Sequence, residues 1–443
     1  MNMVKKEQIN LQVAAEIYEE ADVVVIGGGP AGTAAAISAA RCGQKVILLE
    51  QSGQLGGMGT LANVSIYMSV GNVTGIYREM LEETTPEAVP GSHLMSLHSR
   101  KDQYSPFAVR HYLNGKLHRE KVKVFYHTVY VQPVMEGQRV RGVLARTREG
   151  LKAFMGGIVL DCSGDAAVAR DAGVPMRYGR EQDGLTQPMT LMFTMQNTGK
   201  PVVPYLPEDC EIYESVDDLP QGRHLYWEKN DDGTLLVNMT RVKGNGARIE
   251  DINFAEREAL RQVFSTAHYL QRNGFENYII AHIPGQTGVR ETGQIVGLYT
   301  LTEQDLLEAR RFGDVVAQTN YEIDIHSPDG QKTTEERQLG SYDIPYRCMV
   351  PAGVQGLLVA GRSISATHVA MSSMRVQATC YALGQAAGIA AAVAKEEGTV
   401  HMADISIPRL HQLLAEQGVQ FHGTALSAGN NGQRVTPECS GKL

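Results

Sequence analysis

The sequence feature that most constrains the fold is a glycine-rich turn near the N-terminus, Gly27-Gly28-Gly29-Pro30-Ala31-Gly32. The preceding residues 22–26 read D-V-V-V-I, a β-branched run without polar alternation, which is typical of a parallel strand covered on both faces. The following residues 33–41 are rich in alanine and predict a helix. Residues 45–49 form a second apolar run, which ends at Glu50. The segment therefore predicts a strand, a turn, a helix and a second strand of an α/β fold.

The spacing of these glycines is the one that binds a dinucleotide when it joins a strand to a helix. Gly27 permits the tight turn, Gly29 lets the backbone approach a pyrophosphate, and Gly32 lets the helix pack closely on the strand. The helix N-terminus offers unpaired N–H groups and a positive dipole end to the phosphates. Glu50, 18 residues after Gly32, is placed to accept hydrogen bonds from the ribose. A glycine-rich turn that binds nothing is the alternative, and the agreement of all four elements favours nucleotide binding.

Composition narrows the class of protein. The chain has 41 Lys and Arg against 49 Asp and Glu, a net charge of −8, so no broad basic surface is available and nucleic acid is not an expected partner. The six cysteines are far apart, with no C-x-x-C pair and no Cys/His cluster, and we expect neither a metal site nor disulfides. The N-terminal residues lack the apolar core of a secretory signal, which favours a cytoplasmic location.

Two uncharged stretches, residues 23–40 and 376–394, approach the length of a membrane span. The first contains several glycines and a proline, and the second is rich in Ala and Gly with interspersed polar side chains, far from the Leu, Ile and Phe content that drives insertion. Both stretches fit the buried elements of an α/β protein better, so we expect no membrane span.

A second glycine-rich segment follows the ribose acid: residues 51–60 read Q-S-G-Q-L-G-G-M-G-T. A loop at this place predicts contact along an extended ligand. It resembles the loop that passes the flavin in the large FAD-dependent oxidoreductase group with the glutathione-reductase-type FAD fold. Residues 129–134, 140–146 and 153–160 predict three strands separated by Glu-Gly turns, and they resemble the β-meander of that fold.

Later segments resemble the succinate-dehydrogenase-like branch, in particular the family called FAD-dependent oxidoreductase. Residues 158–169 read I-V-L-D-C-S-G-D-A-A-V-A, similar to the family pattern D-x-[ST]-G-D-x-x-x-A. Residues 357–368 read L-L-V-A-G-R-S-I-S-A-T-H, and S-S-M-R-V at 372–376 and G-Q-A-A-G at 384–388 follow. They are similar to the family's G-R-x-I-S-A-T-H block, its R-V at the flavin and its closing helix. Together the matching blocks cover somewhat under half of the chain.

The resemblance implies an α/β fold, with a Rossmann-like FAD-binding domain that has a parallel sheet and a β-meander, and an inserted α+β substrate or cap domain. The expected boundaries are 18–182 and 340–400 for the discontinuous FAD-binding domain, 183–339 for the substrate domain with part of 62–115 as a candidate addition, and 401–443 for a C-terminal extension. Within the substrate domain, residues 254–272 and 302–317 predict helices.

The resemblance also implies bound FAD, which we expect to be noncovalent because residues 51–61 contain no His or Cys. The residues expected to contact it are Gly27, Gly29, Pro30, Ala31, Gly32, Glu50, Gln51, Gly57, Met58, Val129, Ser163, Gly164, Asp165, Gly361, Arg362, Ser373, Arg375 and Val376. Gly361 and Arg362 would meet the pyrophosphate and ribitol. Arg375 and the backbone at Val376 would face the flavin pyrimidine ring, where a cation and a helix N-terminus stabilise the charge of the reduced flavin.

The function predicted is that of an FAD-dependent oxidoreductase that moves a hydride between a small organic substrate and flavin N5. A second G-x-G-x-x-G unit and a redox Cys pair are missing from the sequence, so no NAD(P) domain is expected. Electrons would enter and leave at the flavin face, from a small substrate, a quinone, oxygen or a protein partner. A flavoprotein electron-transfer subunit that acts with a partner is the alternative, a flavin monooxygenase is a weaker one, and a homo-oligomer is compatible with each.

Arg290 is a candidate catalytic residue because its planar guanidinium suits an anionic substrate. Arg290 is the first residue of the segment 290–297, R-E-T-G-Q-I-V-G. This segment resembles the family block R-E-[ST]-R-[RK]-I-x-G, but Gly293 and Gln294 replace the two basic residues. These losses argue against a carboxylate substrate that needs the extra charges. A buried ion pair of Arg290 with Glu291 or Asp305 is an equal alternative.

Two histidines are the other catalytic candidates. His368 precedes the flavin-facing S-S-M-R-V segment, where a general base or acid is expected, although a histidine that only fixes the loop is nearly as well supported. His326 follows a strand-like run, I-D-I-H, and for this residue a packing role is favoured over proton transfer.

Overall fold

The computed structural model describes residues 12–66, 68, 73–84, 104–221, 227–229, 233–329 and 334–423. The strands are β1 (Glu16–Ile26), β2 (Val46–Leu49), β3 (Lys123–Phe125), β4 (Val129–Glu136), β5 (Arg139–Thr147), β6 (Gly150–Asp161), β7 (Met176–Tyr178), β8 (Phe193–Asn197), β9 (Trp227–Lys229), β10 (Thr234–Val237), β11 (Tyr278–His282), β12 (Gly293–Ile295), β13 (Val315–Thr319), β14 (Ile323–His326), β15 (Thr334–Arg337), β16 (Tyr342–Pro345) and β17 (Leu357–Val359). The helices are α1 (Pro30–Arg41), α2 (Met58–Leu61), α3 (Ile76–Thr84), α4 (Pro106–Arg119), α5 (Ala167–Asp171), α6 (Ile249–Arg272), α7 (Glu303–Leu307), α8 (His368–Met374), α9 (Gln377–Glu396) and α10 (Ile407–Glu416).

The largest sheet has the strand order β3-β2-β1-β6-β5-β4, and β17 also pairs with β6. β1 runs parallel to both β2 and β6, with Val24 opposite Ile47 on one side and Val159 on the other. The apolar run at the end of β1 is buried on both faces, which explains its lack of polar alternation. β4, β5 and β6 are antiparallel neighbours and form the predicted meander. The α/β fold prediction is confirmed.

β6 joins the two parts of this sheet that are distant in sequence. Its first half pairs with β5, and its second half pairs with β17 in parallel, with Leu358 opposite Leu160. A strand from the last quarter of the chain therefore completes a sheet that begins near the N-terminus.

Helices α1 and α9 cover one face of the sheet and pack directly on each other. Both are rich in alanine and almost fully buried. A Cβ atom on Gly384 would lie 2.0 Å from the carbonyl oxygen of Ala31, so the two backbones approach where no side chain fits. The contact positions the N-terminus of α1 against the middle of α9.

Within the described residues, no single helix is long and apolar enough to cross a membrane. α8 and α9 meet that length and composition only as a pair, and a bend of 92° separates them.

A second apolar core lies within residues 189–280. The antiparallel sheet β11-β8-β10-β9 forms one side, and α6 contributes Ala259 and Val263 to the same apolar cluster as Phe193 and Met195 of β8. The helix predicted at 254–272 is confirmed and begins earlier, at Ile249. This unit falls inside the segment predicted as the substrate domain.

The helix predicted at 302–317 is wrong for most of its length. Thr302 caps a short helix by accepting a hydrogen bond from the backbone N–H of Asp305, but α7 ends at Leu307. The chain then turns and forms β13, whose Ala317 pairs with Ile344 of β16. The β-branched run that begins at Val315 is buried in that ladder, and its strand preference overrides the helical pattern before it.

The segment 62–115, a candidate addition to the cap, is described only in part. Residues 85–103 lie outside the described residues. The helix that follows them, α4, packs against α3 of the same segment and against α1, the helix after the glycine-rich turn.

Candidate functional site

The turn between β1 and α1 has the geometry that the glycine pattern predicts. Gly29 caps α1 and Pro30 occupies its first turn. A Cβ on Gly32 would lie 1.8 Å from the carbonyl oxygen of Gly27, so only glycine allows this approach of helix to strand. The N–H groups of Ala31 and Gly32 are in the first turn, where no carbonyl of the helix can accept them. They are free to bind an anion.

The space above this turn is open. A Cβ on Gly29 would meet only the Cα of Gly57, at 3.8 Å, and Gly57 itself caps α2 in the second glycine-rich loop. Two stretches of backbone without side chains therefore face each other at the helix N-terminus. This cradle fits a pyrophosphate, whose oxygens need N–H donors and a close backbone.

Glu50 lies at the end of β2 and is 4% exposed. Its Oε2 accepts a hydrogen bond from Gly28 N and its Oε1 accepts one from Ser52 N, both at 2.7 Å. Each oxygen keeps a further lone pair, so the oriented carboxylate can still accept a ribose hydroxyl. The backbone oxygen of Glu50 accepts a hydrogen bond from the backbone N–H of Thr128, so Val129, the next residue, lies close to Glu50. Gln51 is exposed.

A second turn, between β6 and α5, meets the turn after β17. Arg362 donates hydrogen bonds from Nε to the carbonyl oxygen of Gly164 and from Nη2 to Asp165 Oδ1, both at 2.8 Å. Ser163 lies in the same turn, immediately before Gly164. Nη1 of Arg362 donates to the Val289 carbonyl oxygen, also at 2.8 Å. The structure thus brings together five of the expected FAD contacts: Ser163, Gly164, Asp165, Gly361 and Arg362. The arginine ties both turns to the segment that carries Arg290.

The bend between α8 and α9 presents Arg375 and the N-terminus of α9 together. Thr367 caps α8 through its side chain, and Val376 is the N-cap of the 20-residue α9. Nη2 of Arg375 donates to Asp324 Oδ2 at 3.0 Å. Ser373 is fully buried, and its hydroxyl donates to the backbone oxygen of Tyr321. The structure therefore places Ser373 behind the surface that Arg375 and Val376 form.

A cavity of about 410 Å³ lies between these FAD elements and the rest of the chain. The FAD elements contribute Met58, Arg362, Arg375, Val376 and Gln377, and the other wall includes Thr190, Met192, Leu236, Asn238, Val289, Arg290, Tyr321, Glu322, Asp324, His326 and Glu336. Two of the three catalytic candidates, Arg290 and His326, therefore line one cavity with predicted flavin residues. Within the described residues, no group of three His, Cys, Asp or Glu side chains is placed to hold a metal ion.

Arg290 reaches this cavity without an ion pair to any described residue. Its Nη1 donates to the Pro188 carbonyl oxygen at 2.8 Å and to Thr190 Oγ1 at 2.6 Å, both uncharged. Neither acid proposed as its partner is used: Glu291 binds His368, and the carboxylate of Asp305 binds Arg310.

The electrostatic surroundings of Arg290 are unfavourable to its own charge. Burial, followed by the charges of Arg241 and Arg375, lowers the pKa of Arg290 below its ordinary value. Asp324 opposes that shift only in part. A guanidinium stays protonated in proteins. The cost of burying this charge near two other arginines would therefore be offset by a bound anion rather than by loss of the proton.

Asp324 lies between Arg375 and His326. Its Oδ2 accepts from Arg375 and from the Tyr321 hydroxyl, at 3.0 and 3.3 Å, and its Oδ1 lies 3.4 Å from Nε2 of His326. Burial opposes ionisation, yet His326, Arg375 and Arg290 together hold the pKa of Asp324 below its ordinary value. Asp324 is therefore a carboxylate that accepts hydrogen bonds.

The tautomer of His326 follows from its neighbours. Nη2 of Arg241 lies 3.0 Å from Nδ1, and a guanidinium only donates, so Nδ1 accepts and a neutral ring carries its proton on Nε2. Burial, followed by the charges of Arg290 and Arg241, lowers the pKa of His326 well below its ordinary value. His326 is therefore neutral at pH 7 and directs Nε2–H toward Asp324 and the cavity. It lies in β14 rather than after a strand.

His368 stands apart from this group. It begins α8, is 7% exposed, and its Nδ1 lies 2.8 Å from Glu291 Oε1. The other oxygen of Glu291 accepts from the backbone N–H of Gln187. His368 is not among the residues that line the cavity, and its pair with Glu291 fixes the segment next to Arg290. A catalytic role for His368 stays a prediction.

The sequence interpretation missed three side chains of this site: Arg241, Tyr321 and Asp324. Arg241 follows β10 in an ordinary-looking loop, and no motif marks it. A signal for Asp324 was present, because I-D-I-H alternates apolar and polar residues and so places Asp324 and His326 on one face of a strand.

Comparison with known proteins decides the family. The family described as FAD dependent oxidoreductase matches residues 22–414, which is most of the chain. The chain belongs to the FAD dependent oxidoreductase family. It is an oxidoreductase that uses FAD, and the cradle at the N-terminus of α1, the Glu50 carboxylate and the α9 terminus are the parts that fit this cofactor.

Other similarities are partial or distant. A mitochondrial dihydrolipoyl dehydrogenase of Dictyostelium discoideum is 46% identical over 63 residues, so the match spans 14% of this chain and 12% of that enzyme. A geranylgeranyl bacteriochlorophyll reductase-like protein of Thermoplasma acidophilum is 15% identical, with 90% of this chain and 84% of that chain covered and a TM-score of 0.46. The anhydrotetracycline hydroxylase of Streptomyces rimosus is 13% identical, with 90% and 66% covered and a TM-score of 0.44.

Proposed function

We propose that this family member transfers a hydride between a small organic substrate in the 410 Å³ cavity and N5 of FAD. The observation that carries the proposal is the composition of the cavity wall. Arg375 and Val376, which are predicted flavin contacts, share that wall with Arg290 and His326, which are not among the expected FAD contacts. A substrate bound there would lie against the flavin-facing end of α9.

The residues of the chain would prepare the substrate for this transfer. FAD, when bound, supplies a ring nitrogen that accepts or gives a hydride. Arg290 binds and orients the substrate through donors that the protein leaves unused. His326, protonated at Nε2, donates a hydrogen bond to a substrate oxygen and is not suited to act as a base there. Asp324 keeps Arg375 in place at the α9 terminus.

The cavity wall would also exclude water. Met58, Met192, Leu236, Val289 and Val376 contribute apolar surface. Removing water strengthens the hydrogen bonds and charges that remain inside, which favours hydride transfer over loss of reducing equivalents to solvent.

The test is anaerobic reduction of the FAD-loaded protein. We expect a yellow protein whose absorbance near 450 nm is bleached by at least one member of a panel of hydroxy acids, alcohols and amines. If the enzyme works in the opposite direction, the absorbance of the reduced protein should be regained when an enoate or ketone is added. Met192→Trp should abolish this exchange while the protein keeps its FAD, because the indole fills the cavity. Val203→Trp, at a position that is 91% exposed, is the matched control.

The result that would contradict the proposal is equally direct. If no small molecule exchanges electrons with the bound FAD while a protein partner reduces it rapidly, the chain is an electron-transfer subunit. Oxygen-dependent hydroxylation of a substrate would instead favour a monooxygenase.

A further inference from the structure

Two arginines are neighbours at one end of the cavity, Arg290 in its wall and Arg241 next to Arg290. Thr190 Oγ1 accepts from Nη1 of Arg290 at 2.6 Å and from Nη1 of Arg241 at 2.8 Å, so two guanidinium groups share one neutral oxygen. Nε and Nη2 of Arg290 donate to no described residue. Like charges this close repel each other, and a bound anion is the ligand that offsets the repulsion.

Two further polar groups near this end lack partners within the described residues. Nε of Arg375 is buried and makes no hydrogen bond, and neither does Oδ1 of Asn238. Both residues line the cavity. The oxygen and nitrogen of an Asn amide are interchangeable in assignment, so Asn238 can turn an N–H toward an anion. Buried polar groups are normally paired, and these are placed to pair with a ligand.

The cavity also has an acidic part. Glu322 and the exposed Glu336 contribute to its wall. Burial, followed by the charges of Glu336 and Asp324, raises the pKa of Glu322, and no arginine contributes to that shift. Asp324 acts on both Arg290 and Glu322, so the acidic part of the cavity adjoins the arginines through this residue.

We propose that the substrate is a monocarboxylate with an apolar body, whose carboxylate is bound by Arg290. The inference rests on the proposed function and names its substrate class. The apolar side chains of the wall fit a hydrocarbon body, and the acids at Glu322 and Glu336 disfavour a second carboxylate. A planar carboxylate matches the two unused donors of the guanidinium fork.

The positions that lack the family's basic residues do not weaken this assignment. Gly293 and Gln294 lie in β12, where they pair with Tyr178 and Arg177 of β7, and neither lines the cavity. Charges there would act outside the cavity, and Arg241 and Arg375 supply the positive charge from other elements. The expectation that the two replacements argue against a carboxylate is therefore limited to dicarboxylates.

The test is equilibrium binding to the oxidised FAD-loaded protein, followed by the visible flavin difference spectrum. The probes are 4-methylpentanoate, its uncharged amide, and the dicarboxylate adipate. We expect 4-methylpentanoate to bind at least tenfold more tightly than either of the others. Arg290→Gln should weaken 4-methylpentanoate about tenfold to a hundredfold, the usual effect of losing a charged hydrogen-bond partner. The amide should be affected little.

Two controls keep the result interpretable. Arg347→Gln removes an arginine whose partner is Asp314, away from the cavity wall, and should leave all three affinities unchanged. Glu322→Gln should improve adipate binding relative to 4-methylpentanoate. Retained FAD and an unchanged far-UV spectrum verify that Arg290→Gln is folded.

Equal affinity for acid and amide, or an unchanged affinity in Arg290→Gln, would overturn the inference. Binding is measured without turnover, so the two proposals fail separately. Selective carboxylate binding without any electron exchange contradicts only the proposed function. Electron exchange with uncharged compounds, without carboxylate selectivity, contradicts only the substrate class.

Discussion

The contact between α1 and α9 makes a sharp prediction for Gly384→Ala. The new Cβ would lie 2.0 Å from the carbonyl oxygen of Ala31. Ordinary contact begins at 3.4 Å, so the helices must separate by about 1.4 Å at this point. The obstacle is backbone, which cannot rotate away as a side chain can.

The free-energy change combines two opposing effects. Alanine in place of glycine favours a helix by about 1 kcal/mol. Overpacking of a close-packed core costs about 1–3 kcal/mol, and the upper end applies when backbone is struck. We therefore expect Gly384→Ala to lower the free energy of unfolding by about 2 kcal/mol. Ala31 is in the first turn of α1, so the same displacement should also weaken FAD binding, by about tenfold or more.

The assay is urea unfolding of the FAD-free protein by far-UV circular dichroism, together with FAD titration by flavin fluorescence. Gly115→Ala in α4 is the matched control, because its Cβ would meet only the flexible end of Arg119, at 3.3 Å. That variant should be up to about 1 kcal/mol more stable and bind FAD normally. If Gly384→Ala is as stable as the parent and binds FAD equally well, the described packing of the two helices is wrong.

Two further predictions concern carboxylates that accept hydrogen bonds from other side chains. Hydrogen bonds from Lys123 and Lys45 lower the pKa of Glu19 to about 2, so its stabilisation of the sheet is present above about pH 4.5 and is lost as the pH falls toward 2. The difference in thermal midpoint between the parent and Glu19→Gln should therefore shrink from pH 6 to pH 3, and a constant difference would contradict this. Glu291→Ala removes the buried hydrogen-bond partner of His368 and of the Gln187 N–H, and should lower the free energy of unfolding by about 3 kcal/mol in urea titrations, with partial recovery in Glu291→Gln. Equal stability of both variants with the parent would show that the pair is dispensable.

The FAD half of the fold was predictable because its signals are local. Gly27, Gly29 and Gly32 lie within one turn, and each meander strand is a short apolar run between turn residues. Such patterns depend on neighbours in sequence, and the strands observed contain or closely follow those predicted. The structural placement of the predicted FAD residues is consistent with the motifs, and their individual contacts stay predictions.

The arginine cluster at the cavity was not predictable in the same way. Arg241, Arg290 and Arg375 come from three distant segments, and only the fold brings them together. The incorrect helix prediction at 302–317 has a similar origin. β13 forms by pairing with β16, which is outside the stretch of sequence from which the helix was predicted. The alternative of an ion pair between Arg290 and Glu291 is wrong because Glu291 binds His368, a residue far away in sequence.

The late completion of the main sheet has a consequence for how the enzyme is made. The second half of β6 receives its partner β17 about 200 residues later, and α1 receives α9 later still. While the ribosome is still producing the middle of the chain, one face of α1 and one edge of β6 have nothing to cover them. The glycine-rich turn before α1 is synthesised long before α9, the helix that packs on α1. We therefore expect FAD to be acquired only after α9 has been synthesised, with chaperones protecting the exposed edge until then.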